Sequence, residues 1–230
     1  MEADSTPRAV AEAVERRRVL LVDDHQLVRD GLRLMIDGTP DLCVCADVSD
    51  AARARAIVAR LGPDVAVVDL SLRRSGEDGL DLVKWICAHH PKTKLVVSSM
   101  HEERLYGERA LRAGASGYVS KSASGQTVLE AIRRACEGQL FFSQAVVDSM
   151  LLRARSGKEQ GLSPVERLSD RELQVFRGIG QGRTTKEIAS ELNVGLSTVD
   201  TYRERLKAKL QIGSGAELVH RATRWTLENL

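Results

Sequence analysis

Short apolar runs alternate with amphipathic stretches from Arg18 to about residue 140, and the alternation then stops. The runs are VLLVD (19–23), LCVCADV (42–48), DVAVVDL (64–70), KLVVSS (94–99) and ASGYVS (115–120). Their continuous Val and Leu content reads as strands buried on both faces, as in a parallel sheet. Between them, Gln26–Ile36, Asp50–Leu61, Gly79–His90, Glu102–Ala113 and Gly125–Glu137 carry helical spacing. Leu80, Val83, Ile86 and Cys87, for example, fall on one helical face. Five βα units in this order predict a doubly wound α/β domain with a parallel five-stranded sheet.

After that point no strand signal returns. FFSQAVVDSMLLRARS can form a helix, whereas SGKEQGLSPVERLS is rich in Gly, Ser and charge, as a linker is. Asp170–Gln181, Thr184–Leu192, Leu196–Leu210 and Gly215–Trp225 all read as helices. Ser169 with Glu172, and Thr184 with Glu187, have capping-box spacing at two helix starts. The expected organisation is a polar leader (1–17) with a short helix at Ala9–Arg17, and an α/β domain (18–140). A partly helical linker (141–165) and a small all-α domain (166–230) follow.

Composition changes this picture little. A chain of 230 residues is comfortable for two domains. Aromatics make up only 3%, so the cores must be built from Val, Leu, Ile and Ala. A net charge of +2 permits nucleic-acid binding without arguing for it. The cysteines, at 43, 45, 87 and 136, form no Cys-x-x-Cys pair, and no His cluster completes a metal-ligand spacing. Reduced thiols in a reducing cytoplasm are expected. No apolar run is long enough to span a bilayer, and the first seventeen residues lack a signal peptide's apolar stretch. A cytoplasmic protein with no membrane partner is the expectation.

The candidate chemistry lies at strand ends. In a doubly wound sheet, ligands bind outside the carboxyl ends of the strands near a switch point. The first strand runs into Asp23-Asp24 and the third into Asp69. Three acids gathered at one edge repel one another unless a cation joins them, and a hard ion such as Mg2+ suits carboxylates, water and a phosphoryl group. That ion would also make Asp69 a workable nucleophile toward a phosphoryl donor. The fourth strand ends in Ser98-Ser99, whose hydroxyls can bond a phosphoryl oxygen. Lys121 follows the fifth, a cation able to pair with the phosphate. Any one of these residues alone has a plainer reading, such as a helix cap. The ordered set of Asp-Asp, Asp, Ser and Lys is much harder to reach by chance.

The segments VLLVDDHQLVRDGL, PDVAVVDLSL, LVVSSMHEE and ALRAGASGYVSKS resemble the receiver domain of two-component response regulators, over Val19 to about Gln139. The resemblance implies a flavodoxin-like receiver with Asp69 as phosphoacceptor. Asp23 and Asp24 would form the acidic pair, with Asp24, Asp69 and the backbone carbonyl of Ser71 on Mg2+. Ser99 fits the switch hydroxyl better than Ser98, Lys121 the family's lysine, and Tyr118 the aromatic that changes rotamer on activation. One departure stands out. The family places a glycine about eight residues after the phosphoacceptor, often after a proline. Here Gly79 lies ten residues on, and LRRSGEDG has no proline. The longer loop Leu72–Asp78, with Arg73 and Arg74, reads most simply as a solvated insertion. Its sharper reading is an arginine contact to the phosphate or the donor kinase.

TTKEIASELNVGLSTVDTYRERLKAKL holds two helices split by Asn193-Val194-Gly195, where Gly195 suits a tight turn. Ile188, Ala189, Leu192 and Val199 form the apolar seam of a helix-turn-helix, though spacing alone also allows a plain helical hairpin. LSDREL, Gly182, Lys186-Glu187-Ile188-Ala189, Leu192, Thr198-Val199, Tyr202-Arg203 and Lys209-Leu210 resemble the LuxR-type (NarL/FixJ) DNA-binding domain, from Leu168 to about Trp225. Projected at ~100° per residue, the second helix turns Val199, Leu206 and Leu210 inward. Ser197, Thr201, Glu204 and Ala208 point outward, flanked by Asp200 and Arg205, toward base edges. Thr198, Tyr202, Arg203, Lys207 and Lys209 lie on the shoulders, suited to phosphates, and Lys186 joins the candidate contacts. Related domains often carry lysine near 200 and 204, where this chain has Asp200 and Glu204. Either these acids read cytosine, or Glu204 pairs with Arg203, Arg205 or Lys207, which is the preferred reading.

Together these readings imply a transcription regulator, not an enzyme. It would be switched by phosphorylation of Asp69 by a sensor histidine kinase and would bind double-stranded DNA, with homodimerisation when active supplying strength. The alternative is a phosphorylation-independent DNA-binding regulator whose acidic pocket is only structural. A phosphohydrolase of the haloacid dehalogenase type needs a second Asp two residues after its nucleophile, and that position is Ser71. A nucleotide-binding α/β domain is possible in principle, but no Gly-x-Gly-x-x-Gly follows the first strand.

Overall fold

The computed structural model describes residues 15–72, 79–156 and 163–228. Its first half is a five-stranded parallel sheet in the order β2-β1-β3-β4-β5. The strands are β1 (Arg17–Val22), β2 (Leu42–Val48), β3 (Val65–Val68), β4 (Lys94–Ser99) and β5 (Gly117–Ser120). The intervening helices are α1 (Gln26–Asp37), α2 (Ala51–Leu61), α3 (Gly79–His89) and α4 (Glu103–Ala113), with α5 (Gly125–Cys136) after β5. The unbroken apolar runs are explained by burial on both faces. Leu20, Val22, Ala66, Val68 and Val97 pack with α2, α3 and α4 residues. Their neighbours Val19, Leu21, Val65, Val67 and Val96 pack with Ile36 of α1 and Ile132 of α5. The strand order reverses between β1 and β3, which places Asp23-Asp24 beside Asp69.

The expected leader helix over 9–17 is not formed where it is described. Glu15 and Arg16 are irregular and Arg17 opens β1, pairing with Leu42 of β2; positions 9–14 lie outside the described residues. After α5 the chain returns to the sheet edge. Phe141 N–H donates to the Ser116 carbonyl, and Tyr118 N–H donates to the Phe141 carbonyl, both at 2.8 Å. Gly117 permits this approach, since a Cβ there would sit 3.1 Å from the Phe141 Cβ. The contact covers the β5 edge that an open sheet would expose.

α6 (Gln144–Ser156) then packs on α4, with Val146 buried against Gly107. The C-terminal domain comprises α7 (Asp170–Gly180), α8 (Thr185–Glu191), α9 (Leu196–Leu210) and α10 (Gly215–Glu228). Both expected capping boxes are formed, Ser169 with Glu172 and Thr184 with Glu187. Phe176, Ile188, Val199, Leu206 and Leu218 form the core of this domain. Among the described residues no helix is long and apolar enough to cross a membrane. The four cysteines are free and half-buried.

The two domains are docked. Asp170 at the start of α7 accepts from Arg109 of α4 at 2.8 Å and from Lys84 of α3 at 2.7 Å. Arg109 also donates to the Leu168 carbonyl at 2.6 Å, and Arg171 reaches Asp81 of α3 at 3.1 Å.

Candidate functional site

The acids meet as their strand ends require. Asp69 follows β3 and is almost wholly buried; its N–H donates to the Val22 carbonyl, 2.8 Å away on β1. Asp23 follows β1 and is buried, while its neighbour Asp24 lies at the edge of the pocket. Ligand atoms of Asp23, Asp24, His25 and Asp69 all lie within 4.8 Å of one another. The Lys121 ammonium, just past β5, donates to Asp69 Oδ2 at 2.8 Å and sits 2.5 Å from Asp23 Oδ2. Ser71 N–H donates to the other Asp69 oxygen at 3.0 Å.

Charge balance explains the electrostatics. Burial pushes the Asp69 carboxyl above the ordinary carboxylate value, and the attraction of Lys121 and the Ser71 hydrogen bond only partly offset it. Burial works against the Lys121 ammonium, yet Asp69 and Asp23 outweigh it and hold Lys121 above its ordinary value. The two shifts thus have different main causes: burial raises the Asp69 carboxyl, whereas the neighbouring carboxylates of Asp69 and Asp23 raise Lys121. Asp24 Oδ1 is buried and accepts no hydrogen bond among the described residues, although His25 Nδ1 lies 2.7 Å away. An oxygen-rich donor set with surplus negative charge and an orphaned carboxylate oxygen fits a hard divalent cation.

Ser99 is fully buried at the end of β4, and its hydroxyl accepts from the His101 N–H at 3.2 Å. The structure thus turns Ser99 into the network, while Ser98, also buried, has no such bond among the described contacts. The Tyr118 ring is buried, its hydroxyl donates to the His101 carbonyl at 2.8 Å, and burial pushes its phenol well above the ordinary value. Ser71 turns its hydroxyl toward the His101 ring, 3.1 Å away. Of the loop Leu72–Asp78, Leu72 is buried and positions 73–78, Arg73 and Arg74 included, lie outside the described residues.

Sequence reasoning missed two residues. Arg29 of α1 is buried behind the acidic pair, donating to the Asp23 carbonyl at 2.5 Å and to Asp47 at 3.2 Å. Its position seven residues before the buried Ile36 placed it on the inward face of α1, a signal that was available. His101 touches Ser71, Ser99 and Tyr118 at once. The only hint in the sequence was a polar ring two residues beyond Ser99.

In the C-terminal domain α8 and α9 form the two helices of the motif. The turn between them differs from expectation. Asn193 adopts the left-handed conformation (φ 50°), while Gly195 is extended (φ −72°) and serves as the N-cap of α9. An Asn can take this conformation at little cost, which relieves Gly195 of the role. Val199, Leu206 and Leu210 are buried as projected. Ser197, Thr198, Asp200, Thr201, Glu204, Arg205 and Ala208 are exposed; Tyr202, Arg203 and Lys207 are half-buried. Lys186 is exposed on α8. Glu204 pairs with Lys207 at 2.8 Å, and the Arg205 guanidinium lies over the Tyr202 ring at 5.9 Å. Lys209 is engaged by Glu172 of α7 at 2.7 Å. The outward face of α9 stays open although the domains are docked.

A parallel sheet with a carboxylate cluster at its switch point, followed by a helix-turn-helix bundle, defines a receiver joined to a DNA-binding domain. Residues 19–133 match the response regulator receiver domain, and residues 166–222 match the bacterial regulatory proteins of the luxR family. The chain belongs to the response regulators that carry a LuxR-type DNA-binding domain. It is 35% identical over 211 residues to the response regulator UvrY of Escherichia coli K12, spanning 92% of this chain and 95% of that one. It is 33% identical over 214 residues to the transcriptional regulatory protein LiaR of Bacillus subtilis, spanning 92% and 99%. Its fold is similar to RcsB of Salmonella enterica serovar Typhimurium bound to promoter rprA in the presence of the phosphomimetic BeF3-. That match has a TM-score of 0.65 at 24% identity, covering 91% of this chain and 99% of the other.

Proposed function

We propose that Asp69 accepts a phosphoryl group from a sensor histidine kinase, and that this event controls how the LuxR-type domain engages double-stranded DNA in the cytoplasm. The observation that carries the reading is the Asp69 carboxylate held between Lys121 and Ser71 N–H, within reach of Asp23 and Asp24. In the transfer, an Asp69 oxygen bonds to phosphorus as the bond from phosphorus to the donor histidine nitrogen breaks, and that nitrogen takes a proton from solvent. Asp24, Asp69 and the Ser71 carbonyl, with Asp23 beside them, would hold Mg2+, which supplies charge neutralisation for the incoming phosphoryl oxygens. Lys121 already bonds the acceptor and pairs with the product's new charge. Ser99 offers its hydroxyl to a phosphoryl oxygen, and Tyr118 follows it through His101. Incubation of wild type and Asp69→Asn with a small phosphodonor and Mg2+ tests this by intact mass. One phosphoryl group is expected on wild type and none on the variant. Equal labelling of both would remove the assignment, and no labelling of either would favour a purely structural pocket.

For DNA, Ser197, Asp200, Thr201, Glu204 and Arg205 face the base edges. Lys186, Thr198, Tyr202, Arg203, Lys207 and Lys209 serve the phosphates, with Lys209 first leaving Glu172. Two of these cations, Lys207 and Lys209, are already paired with carboxylates, so a homodimer on two half-sites supplies the affinity. The Glu204–Lys207 pair supports the reading that this acid is spent within the helix. Glu204→Gln is therefore expected to tighten binding to every operator variant and to leave base preference unchanged, because a negative charge leaves the phosphate surface and Lys207 is released. A titration against single-base operator variants at several salt concentrations checks it. A preference that shifts at one position would show instead that Glu204 reads a base.

A further inference from the structure

We propose that His101 is the residue through which the state of the acceptor pocket reaches the docked DNA-binding domain. This rests on Asp69 being the acceptor. His101 lies in the short segment between β4 and α4, two residues beyond Ser99, and contacts of four kinds meet on it. Its N–H donates to the Ser99 hydroxyl at 3.2 Å, and its carbonyl accepts from the Tyr118 hydroxyl at 2.8 Å. Its ring Nε2 lies 3.1 Å from the hydroxyl of Ser71, the residue whose N–H holds Asp69. The same Nε2 lies 2.7 Å from the guanidinium of Arg177, which belongs to α7 of the other domain. Arg177 is fixed in turn by Tyr106, whose hydroxyl it meets at 3.0 Å and whose ring it covers at 5.7 Å. The His101 and Tyr106 rings pack at 4.7 Å.

Hydrogen-bond chemistry makes this junction responsive. A guanidinium only donates, so Nε2 must be the unprotonated, accepting nitrogen of the ring. That nitrogen has one lone pair, and both Arg177 and the Ser71 hydroxyl approach it. The backbone of His101 is held by the Ser99 and Tyr118 hydroxyls, the two groups that phosphorylation of Asp69 would draw inward. When Ser99 turns to a phosphoryl oxygen, the His101 N–H loses its acceptor and the Tyr118 anchor shifts. The ring can then no longer satisfy Arg177 in its present place. Occupancy of the pocket and docking of α7 thus oppose one another, and the opposition is reciprocal: whatever loosens docking tightens phosphoryl-group binding by the same factor. The reading face of α9 is open in the docked form, so the coupling governs where the domain is held rather than whether its helix is covered.

The test uses the full chain with one dye on each domain, at nanomolar concentration, titrated with beryllofluoride and Mg2+ as a stable mimic of the acyl phosphate. In wild type, saturation is expected to lower energy transfer between the dyes. His101→Ala and Arg177→Ala are expected to start at the lowered transfer, to show no further change, and to bind beryllofluoride on the order of 10-fold tighter. The two variants approach the contact from opposite domains, so misfolding of either leaves the other to decide. Ligand-induced changes equal to wild type in the variants, or wild type that binds the mimic with unaltered transfer, would overturn the coupling alone. Wild type that fails to bind the mimic would overturn the acceptor reading, and the coupling with it.

Discussion

Lys121→Gln is expected to cost the receiver about 3 kcal/mol in the presence of a chelator, and far less once divalent cations are supplied. The Lys121 ammonium is nearly buried and is shared by Asp69 and Asp23, whose side chains are more buried still. Removing one partner of a buried ion pair typically costs about 3–5 kcal/mol, because the remaining charge is stranded. The pocket has an upper limit set by proton uptake. Protonating a carboxylate of ordinary affinity at neutral pH costs about 4 kcal/mol, so a larger penalty would be relieved by taking a proton. The pH dependence follows in sign. Asp69 already sits above its ordinary value of 3.8. Without Lys121 it rises further, so the folded variant binds more protons than the unfolded chain. Its deficit is therefore greatest at neutral pH and shrinks as pH falls toward the ordinary carboxylate range. A cation on the acids replaces the missing charge, and 100-fold excess over its Kd returns about 2.7 kcal/mol. Urea unfolding of both proteins, with chelator and with Mg2+, at neutral and mildly acidic pH, measures all of this. A variant as stable as wild type in chelator, or one that gains no more from Mg2+, would contradict the view that Lys121 neutralises the pocket.

The sequence carried the parts of this arrangement that depend on local periodicity and strand order. The runs around Leu20, Val67 and Val96 have no polar alternation because both sheet faces are covered, and that made the parallel sheet legible. Once the sheet was parallel, Asp23, Asp24 and Asp69 had to meet, since a switch point lies between β1 and β3. The capping boxes at Ser169 and Thr184 were legible because a cap is a contact over three residues. What escaped depends on distant partners. His101 and Arg177 are separated by 76 positions and lie in different domains, so no spacing rule joins them. The edge contact of Phe141 with β5 is a backbone bond that its side chain does not advertise. Glu204 was placed correctly on the outer face of α9, but the choice among its three basic neighbours needed coordinates, which show Lys207.

Gly79→Ala is expected to be the most damaging single-methyl addition in the receiver, lowering stability by about 3 kcal/mol and slowing phosphorylation of Asp69 on the order of 100-fold. Gly79 opens α3 directly beneath the acceptor, and its N–H donates to the Leu70 carbonyl at 3.1 Å. A Cβ built there would lie 2.1 Å from the Asp69 carbonyl oxygen, 2.6 Å from the Leu70 Cα and 2.9 Å from the Asp69 carbonyl carbon. All three are backbone atoms, so no rotamer change can make room. Either α3 slides away from the sheet, breaking the seat of buried Leu80 and Val83, or the chain at Asp69 moves. Overpacking of this kind costs about 1–3 kcal/mol where side chains can yield, and the upper end applies where only backbone is present. The Asp69 oxygens are held by Lys121 and by Ser71 N–H, so a displacement of about 1 Å misplaces the nucleophile, at roughly 100-fold in rate. Gly31 is the matched control. It lies mid-helix on α1, exposed, with nothing within 4 Å of a built Cβ. Gly31→Ala should raise stability by about 0.5–1 kcal/mol through helix propensity and leave phosphorylation untouched. Urea midpoints and the initial rate of labelling by a small phosphodonor distinguish the two sites. A Gly79→Ala protein that folds and labels like wild type would show that α3 does not seat the acceptor through this glycine.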